Sequence, residues 1–187
     1  MGFTKTTYPG IELPSELTLL RQTYEKSESI DKVQIVKLAT FADDYGGWFK
    51  ENLRLTEEGF VQSFVDAGIK FKFIQSNSSF LAPGTKRFWH IHPEQNEIWT
   101  SNGTLLLGLI DFRKGSPTYL KQMKVVLSQD KMIHIPAGVA HGFINPNNSS
   151  VTLTYFTDKF FVGDENTQEC RIDSKNLSYE FVMPEEL

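Results

Sequence analysis

Residues 84–103 read GTKRFWHIHPEQNEIWTSNG and residues 136–145 read PAGVAHGFIN. The fold turns on these two windows. The chain has four histidines, and three of them (His90, His92 and His141) sit here together with Glu97. In a strand, residues i and i+2 point the same way. His90 and His92 therefore share a face, with Phe88 beside them. The turn over 93–96 lets an antiparallel neighbour bring Glu97 back to that face. Pro136-Ala137-Gly138 is a tight turn feeding the strand that carries His141. Three imidazoles and a carboxylate are a complete ligand set for one divalent transition metal. The set does not choose among iron, manganese, nickel and zinc. The plainer alternative is that these histidines are hydrogen-bonded core residues or purely catalytic ones. His134 lies between Ile133 and Ile135, faces away from them, and reads as a non-ligand.

Outward from these windows, the chain reads as short strands separated by turns. Strands are expected over 33–38, 71–75, 87–92, 97–100, 104–112, 123–127, 132–135, 142–144 and 151–156, with another starting near Trp48. The 104–112 run is nearly all apolar and should be buried on both faces. Two short helices are expected, one opened by Pro14-Ser15-Glu16 and one capped at Thr56 and running to Asp66. The aromatics Trp48, Trp89, Trp99, Phe143 and Phe156 read as core. Short strands at this spacing predict an all-β sandwich or small barrel. One domain is expected over 1–187: an arm and first strand over 1–40, a body over 41–175 and a tail over 176–187.

The bulk numbers exclude several classes. The 187 residues are 40% hydrophobic and 13% aromatic, with net charge −4 and no basic block. Nucleic acid is a poor partner for such a chain. No apolar run approaches a membrane span, and the N-terminus has no signal-peptide core. Cys170 is alone, so no internal disulfide exists and a reducing cytoplasm fits.

Two resemblances extend this. The spacings Gly84-x5-His90-x-His92-x4-Glu97 and Pro136-x-Gly138-x2-His141-x3-Asn145 resemble the two cupin motifs. They depart in a gap from Glu97 to Gly103 that is one residue short, and in Asp130 where the second motif opens with Gly. A longer stretch, about 41–175, is similar to the dTDP-4-dehydrorhamnose 3,5-epimerase family. The residues that carry it are 73–79 (FIQSNSS), 87–90 (RFWH), 111–118 (DFRKGSPT), 135–143 (IPAGVAHGF), Tyr155 and Asp173. The resemblance implies a cupin-type jelly-roll barrel, usually dimeric. It implies His90 as the base that removes a proton beside a C4 ketone and Tyr155 as the acid on the other face. Gln75, Asn77 and Arg87 match substrate-contacting positions, and Arg87 suits a diphosphate. Phe88 and His141 are expected to line the same substrate site.

The departures from that family lie in its working parts. The family lysine that helps stabilise an enolate falls near Asn96, and its partner aspartate near Leu107. An arginine and a glutamate used on the nucleotide are replaced by Tyr45 and Lys50. Phe88 stands for a glycine and His92 for a glutamine. The C-terminal acid that partners the base has no clear match. The expected function is an epimerase or isomerase acting on a keto sugar, nucleotide-linked or free, in deoxysugar or surface-polysaccharide synthesis. Its expected setting is a cytoplasmic homodimer with a small-molecule sugar substrate, no organic cofactor and a divalent metal at His90, His92, Glu97 and His141. The alternatives are a metal-dependent cupin enzyme of another class, such as an oxygenase or small-acid enzyme, and a non-catalytic sugar-binding cupin. A histidine whose lone pair binds a metal is not a free base, so the ligand and base roles compete for His90.

Overall fold

The computed structural model describes residues 3–22, 28–162 and 169–173. Its elements in chain order are β1 (Phe3–Lys5), β2 (Leu20–Gln22), β3 (Gln34–Lys37), β4 (Thr40–Ala42), β5 (Trp48–Lys50), α1 (Gln62–Val65), β6 (Gln75–Leu81), β7 (Lys86–Ile91), β8 (Glu97–Ser101), β9 (Leu105–Asp111), β10 (Gln122–Leu127), β11 (Lys131–Ile135), β12 (Val139–Ile144), β13 (Val151–Thr157) and β14 (Cys170–Arg171). Two five-stranded antiparallel sheets face each other, ordered β10-β9-β12-β7-β14 and β3-β11-β8-β13-β6. This is the expected cupin-type jelly roll. The ribbons β1–β2 and β4–β5 stand apart from it.

Period-two alternation sorts each strand into layers. Trp99, Leu105, Leu107, Leu109, Ile133, Ile135, Phe143 and Leu153 fill the space between the sheets. The alternate residues Ile98 and Met132 point the other way, into a second layer with Leu38, Val61, Phe64 and Phe71. His134 belongs to that outer side. Its Nδ1 donates to the Lys32 carbonyl at 2.9 Å, and its ring packs on Phe64 and Phe71. β9 is buried or half-buried at every position, as its apolar run required.

Several local expectations fail for physical reasons. The helix expected to open at Pro14-Ser15-Glu16 is replaced over its described part by a turn, Leu17 N–H to Pro14 O at 2.9 Å, inside the β1–β2 ribbon. The 56–66 helix shrinks to α1, because Gly59 (φ +82°) closes a turn on Thr56 and Leu55 pairs with Val61. The strand expected over 71–75 lies later, at β6. Its sequence QSNSSFL hides it, since both faces are polar: Gln75, Asn77 and Ser79 face inward, and Ser76 and Ser78 face solvent. Trp48 is 50% exposed on the β4–β5 ribbon rather than core. The tail at 176–187 lies outside the described residues.

A buried polar knot ties the two histidine windows together. Asp111 is fully buried and takes a bidentate pair from Arg113 (Nε to Oδ1 and Nη2 to Oδ2, both 2.8 Å). Ser116 and Thr118 hydroxyls donate to its Oδ2 at 2.6 Å each. Burial pushes the Asp111 pKa up, but these donors outweigh it and hold it well below the ordinary 3.8. Gly138 has φ +77°, and a Cβ there would lie 2.6 Å from Arg113 Cγ. Its N–H donates to the His92 carbonyl at 2.8 Å, and the Phe112 N–H to its own carbonyl at 3.1 Å. The turn before His141 is thereby fastened to the backbone of His92. The sequence motif 111–118 is thus a structural brace, more than a loosely held loop pair.

Removing one partner of a buried pair leaves the other charge unmatched, so Asp111→Asn should cost about 3 kcal/mol in urea unfolding at neutral pH. A carboxyl with a depressed folded pKa stabilises fully above its ordinary value and loses that contribution only as pH falls through the folded value. The gap to wild type should therefore persist down to the ordinary 3.8 and close only in stronger acid. Equal stability at pH 7 contradicts the brace. Gly142→Ala is a second check, because its Cβ would lie 2.0 Å from Phe88 Cδ1 and 2.7 Å from the Arg87 carbonyl. It should lose about 1–3 kcal/mol through overpacking.

Candidate active site

Between the sheets lies a cavity of about 270 Å³. Arg87, His90 and His141 line it from one sheet, and Gln75, Asn77 and Tyr155 from the other. Tyr155 lies opposite Asn77 in the β13–β6 ladder and opposite Trp99 in the β13–β8 ladder. His90 and Tyr155 therefore line the cavity from opposite sheets, the placement that the roles implied by the family resemblance would need. Gln75 Nε2 donates to Asn77 Oδ1 at 2.8 Å, which joins two of the expected substrate contacts on one strand face.

His90 has an acidic partner that sequence reading missed. Its Nδ1 lies 3.0 Å from Glu169 Oε1. A carboxylate only accepts, so Nδ1 carries the proton and Nε2 keeps its lone pair. Burial lowers the His90 pKa below 6.5, and the Glu169 charge partly restores it. β14 supplies this contact by pairing with β7, Cys170 opposite Ile91 and Arg171 opposite His90. No local motif marks Glu169, since only the antiparallel return of β14 brings it here. Arg171 also lines the cavity and was likewise missed.

Deeper in the cavity His92, Glu97 and His141 converge, all buried, with donor atoms within 4.8 Å of one another. His92 Nε2 is 3.4 Å from Glu97 Oε1, and His141 Nε2 is 3.6 Å from Glu97 Oε2. Donor atoms sharing one ion at about 2.1 Å sit about 3–3.5 Å apart, so the three residues fit a small divalent cation. His141 Nδ1 donates to the Val139 carbonyl at 3.1 Å, which leaves Nε2 as the acceptor facing Glu97. Burial, with His92 next to it, pushes the His141 pKa down to about 3. Burial pushes Glu97 up to about 7 against hydrogen bonds from Trp99 and Gln95. Of the four expected ligands, His90 is not in this group.

Other expectations fall differently. Phe88 does not share a face with His90 and does not line the cavity. The β7–β12 register shifts between His141 and Phe143, so Arg87 and His90 point inward while Phe88 and Trp89 both pack on the outer side with Ile110 and Ala140. Asn96 also stays out of the cavity, bonding Asp158 through its N–H at 2.8 Å and its Nδ2 at 2.6 Å. Tyr45 is 99% exposed, and Lys50 donates to the Gln129 carbonyl at 2.6 Å. Neither lines this cavity.

A family model described as dTDP-4-dehydrorhamnose 3,5-epimerase matches residues 27–186. A dTDP-4-dehydrorhamnose 3,5-epimerase from Sinorhizobium fredii is 34% identical over 134 residues, 68% of this chain and 65% of that protein. The match thus spans just under two thirds of that relative. A spore coat polysaccharide biosynthesis protein from Bacillus subtilis is 28% identical over 139 residues, 73% of this chain and 85% of its own. Among solved structures, a 3′-monoepimerase from Streptomyces bikiniensis in complex with dTDP-quinovose superposes with a TM-score of 0.70 at 21% identity, over 87% of this chain and 80% of its own. A dTDP-6-deoxy-D-glucose-3,5-epimerase from Legionella pneumophila, solved with dTDP-4-keto-L-rhamnose, gives 0.68 at 23% identity, over 86% and 84%. At these identities the likeness shows the fold.

The site geometry is testable without any substrate. ¹⁵N NMR of metal-free protein at pH 7 should find His141 neutral, with its proton on Nδ1. An imidazolium signal, or a proton on Nε2, contradicts the assigned hydrogen bond to Val139.

Proposed function

The chain belongs to the dTDP-4-dehydrorhamnose 3,5-epimerase family, and from that premise we propose that it is a carbohydrate epimerase acting on a nucleotide-linked keto sugar in deoxysugar or surface-polysaccharide synthesis. One observation carries the reading: His90, held through Nδ1 by Glu169, faces Tyr155 across a single cavity. In this reading His90 Nε2 takes the proton from a carbon beside the ketone, and the carbon's electron pair moves toward the carbonyl oxygen. The imidazolium so formed is stabilised by the Glu169 carboxylate. Tyr155 returns a proton to the same carbon from the other face, which inverts the centre with no net redox change. Arg87, with Arg171 beside it at the cavity, suits a diphosphate through charge-assisted bonds. Gln75, Asn77 and His141 are the proposed sugar contacts. Phe88 acts indirectly, by packing against Gly142.

The second element is a divalent transition metal held by His92, Glu97 and His141, with no organic cofactor. Two features support it: three buried donors converge, and among the described residues no lysine lines the cavity. When bound, iron, manganese, nickel or zinc would polarise a carbonyl oxygen. His90 stays outside this ligand set, so base and ligand no longer compete for it. The same convergent donors favour the second reading, a metal-dependent enzyme of another class. A cytoplasmic homodimer completes the proposal. Exposed aromatics on the β4–β5 ribbon, Phe41, Trp48 and Phe49, support a partner-facing surface. Among the described residues no helix is long and apolar enough to cross a membrane.

Conversion of a dTDP-linked 4-keto-6-deoxy sugar to its epimer tests the reading. His90→Asn should slow turnover by about 10²–10⁴, and Tyr155→Phe should do likewise while metal content stays unchanged in both. Full activity in folded His90→Asn would falsify the assignment of the base. Metal analysis separates the second element: Glu97→Gln should lose bound ion, and His90→Asn should keep it.

A further inference from the structure

Glu97 is gripped from both sides along its own strand direction. Gln95, two residues before it, donates Nε2–H to Oε1 at 2.9 Å, and Trp99, two residues after, donates its indole N–H to Oε2 at 2.8 Å. All three side chains are buried. Each carboxylate oxygen therefore has one fixed donor and one imidazole opposite it, His92 at Oε1 and His141 at Oε2. The indole N–H can donate and cannot accept, so the Trp99 bond holds the oxygen as an acceptor. The Trp99 ring also stands edge-on to the His141 ring at 4.9 Å, with planes 80° apart, and to Phe143 at 5.9 Å. One side chain thereby orients the carboxylate and the imidazole next to it.

We propose that Gln95 and Trp99 are positioning residues that set Glu97, and through Trp99 also His141, in the geometry that captures a divalent cation. The inference rests on the metal reading of His92, Glu97 and His141 and adds to it which outer residues tune affinity. A merely structural pair would satisfy a buried carboxylate and leave cation affinity unmoved. Outer partners that aim first ligands typically change metal affinity 10–100-fold when removed.

Zn²⁺ titration of wild type, Trp99→Phe and Gln95→Leu by calorimetry tests this, with Co²⁺ absorption as a spectroscopic reading of the ligand set. Melting curves of the metal-free proteins are taken first, and if Trp99→Phe does not fold, Gln95→Leu carries the test alone. The expected result is tight one-to-one binding by wild type and 10–100-fold weaker binding by each folded variant, with an altered Co²⁺ spectrum. Wild-type affinity in the folded variants overturns the positioning role and leaves the metal reading standing. Failure of wild type to bind either ion overturns both.

Discussion

Where β7 pairs with β12 the register slips between His141 and Phe143: His141 lies opposite His90, yet Phe143 lies opposite Arg87. In an unbroken ladder Arg87 and His90, three residues apart, would face opposite sides of the sheet. The slip turns both into the cavity and sends Phe88 and Trp89 together to the outer layer. Gly142 makes room for this, because any side chain there would collide with the Phe88 ring. A β-bulge beside a site that re-aims a side chain is a familiar device of sheets. The placing of both Arg87 and His90 on the cavity wall follows from it.

The same cavity holds polar groups that a core would normally exclude. Glu97, His92 and His141 are buried, and each polar group taken from water costs free energy unless matched. Burial shifts Glu97 up and His141 down, each toward its uncharged form. Such shifted groups gather where chemistry or binding occurs. The sheets tolerate the cost because apolar residues of β9, β11 and β13 pack tightly around it and the Asp111–Arg113 brace fixes the turn before His141. With His92, Glu97 and His141 grouped together and the His90–Glu169 pair outside that group, the proposed ligand and base roles fall on different histidines.

The jelly roll was legible because its inner strands obey simple alternation or continuous apolarity: β9, β11 and β13 lie within a residue or so of their expected bounds. β6 was not, since a polar pocket on one side and solvent on the other removed its hydrophobic signature. At the site, the spacing of the two windows brought His92, Glu97 and His141 within reach of one another, while His90 lines the same cavity outside that group. It did not foretell the register slip, which misassigned Phe88, nor the long return of β14, which hid Glu169. The roles of Gln95, in the turn before β8, and of Trp99, read as core, were not legible, because side-chain hydrogen bonds between near neighbours leave no mark on the sequence. The aromatic ribbon at Trp48 misled for another reason, since composition cannot tell a core aromatic from an exposed one.

The central claim is that this cavity removes a proton from a carbon beside a sugar ketone. Proton NMR of a dTDP-linked 4-keto-6-deoxy sugar in D₂O with the purified protein tests it most directly. The account predicts deuterium entering C3, C5 or both only when protein is present, and none with His90→Asn. Unchanged proton signals at both carbons with active, folded wild-type protein would contradict it.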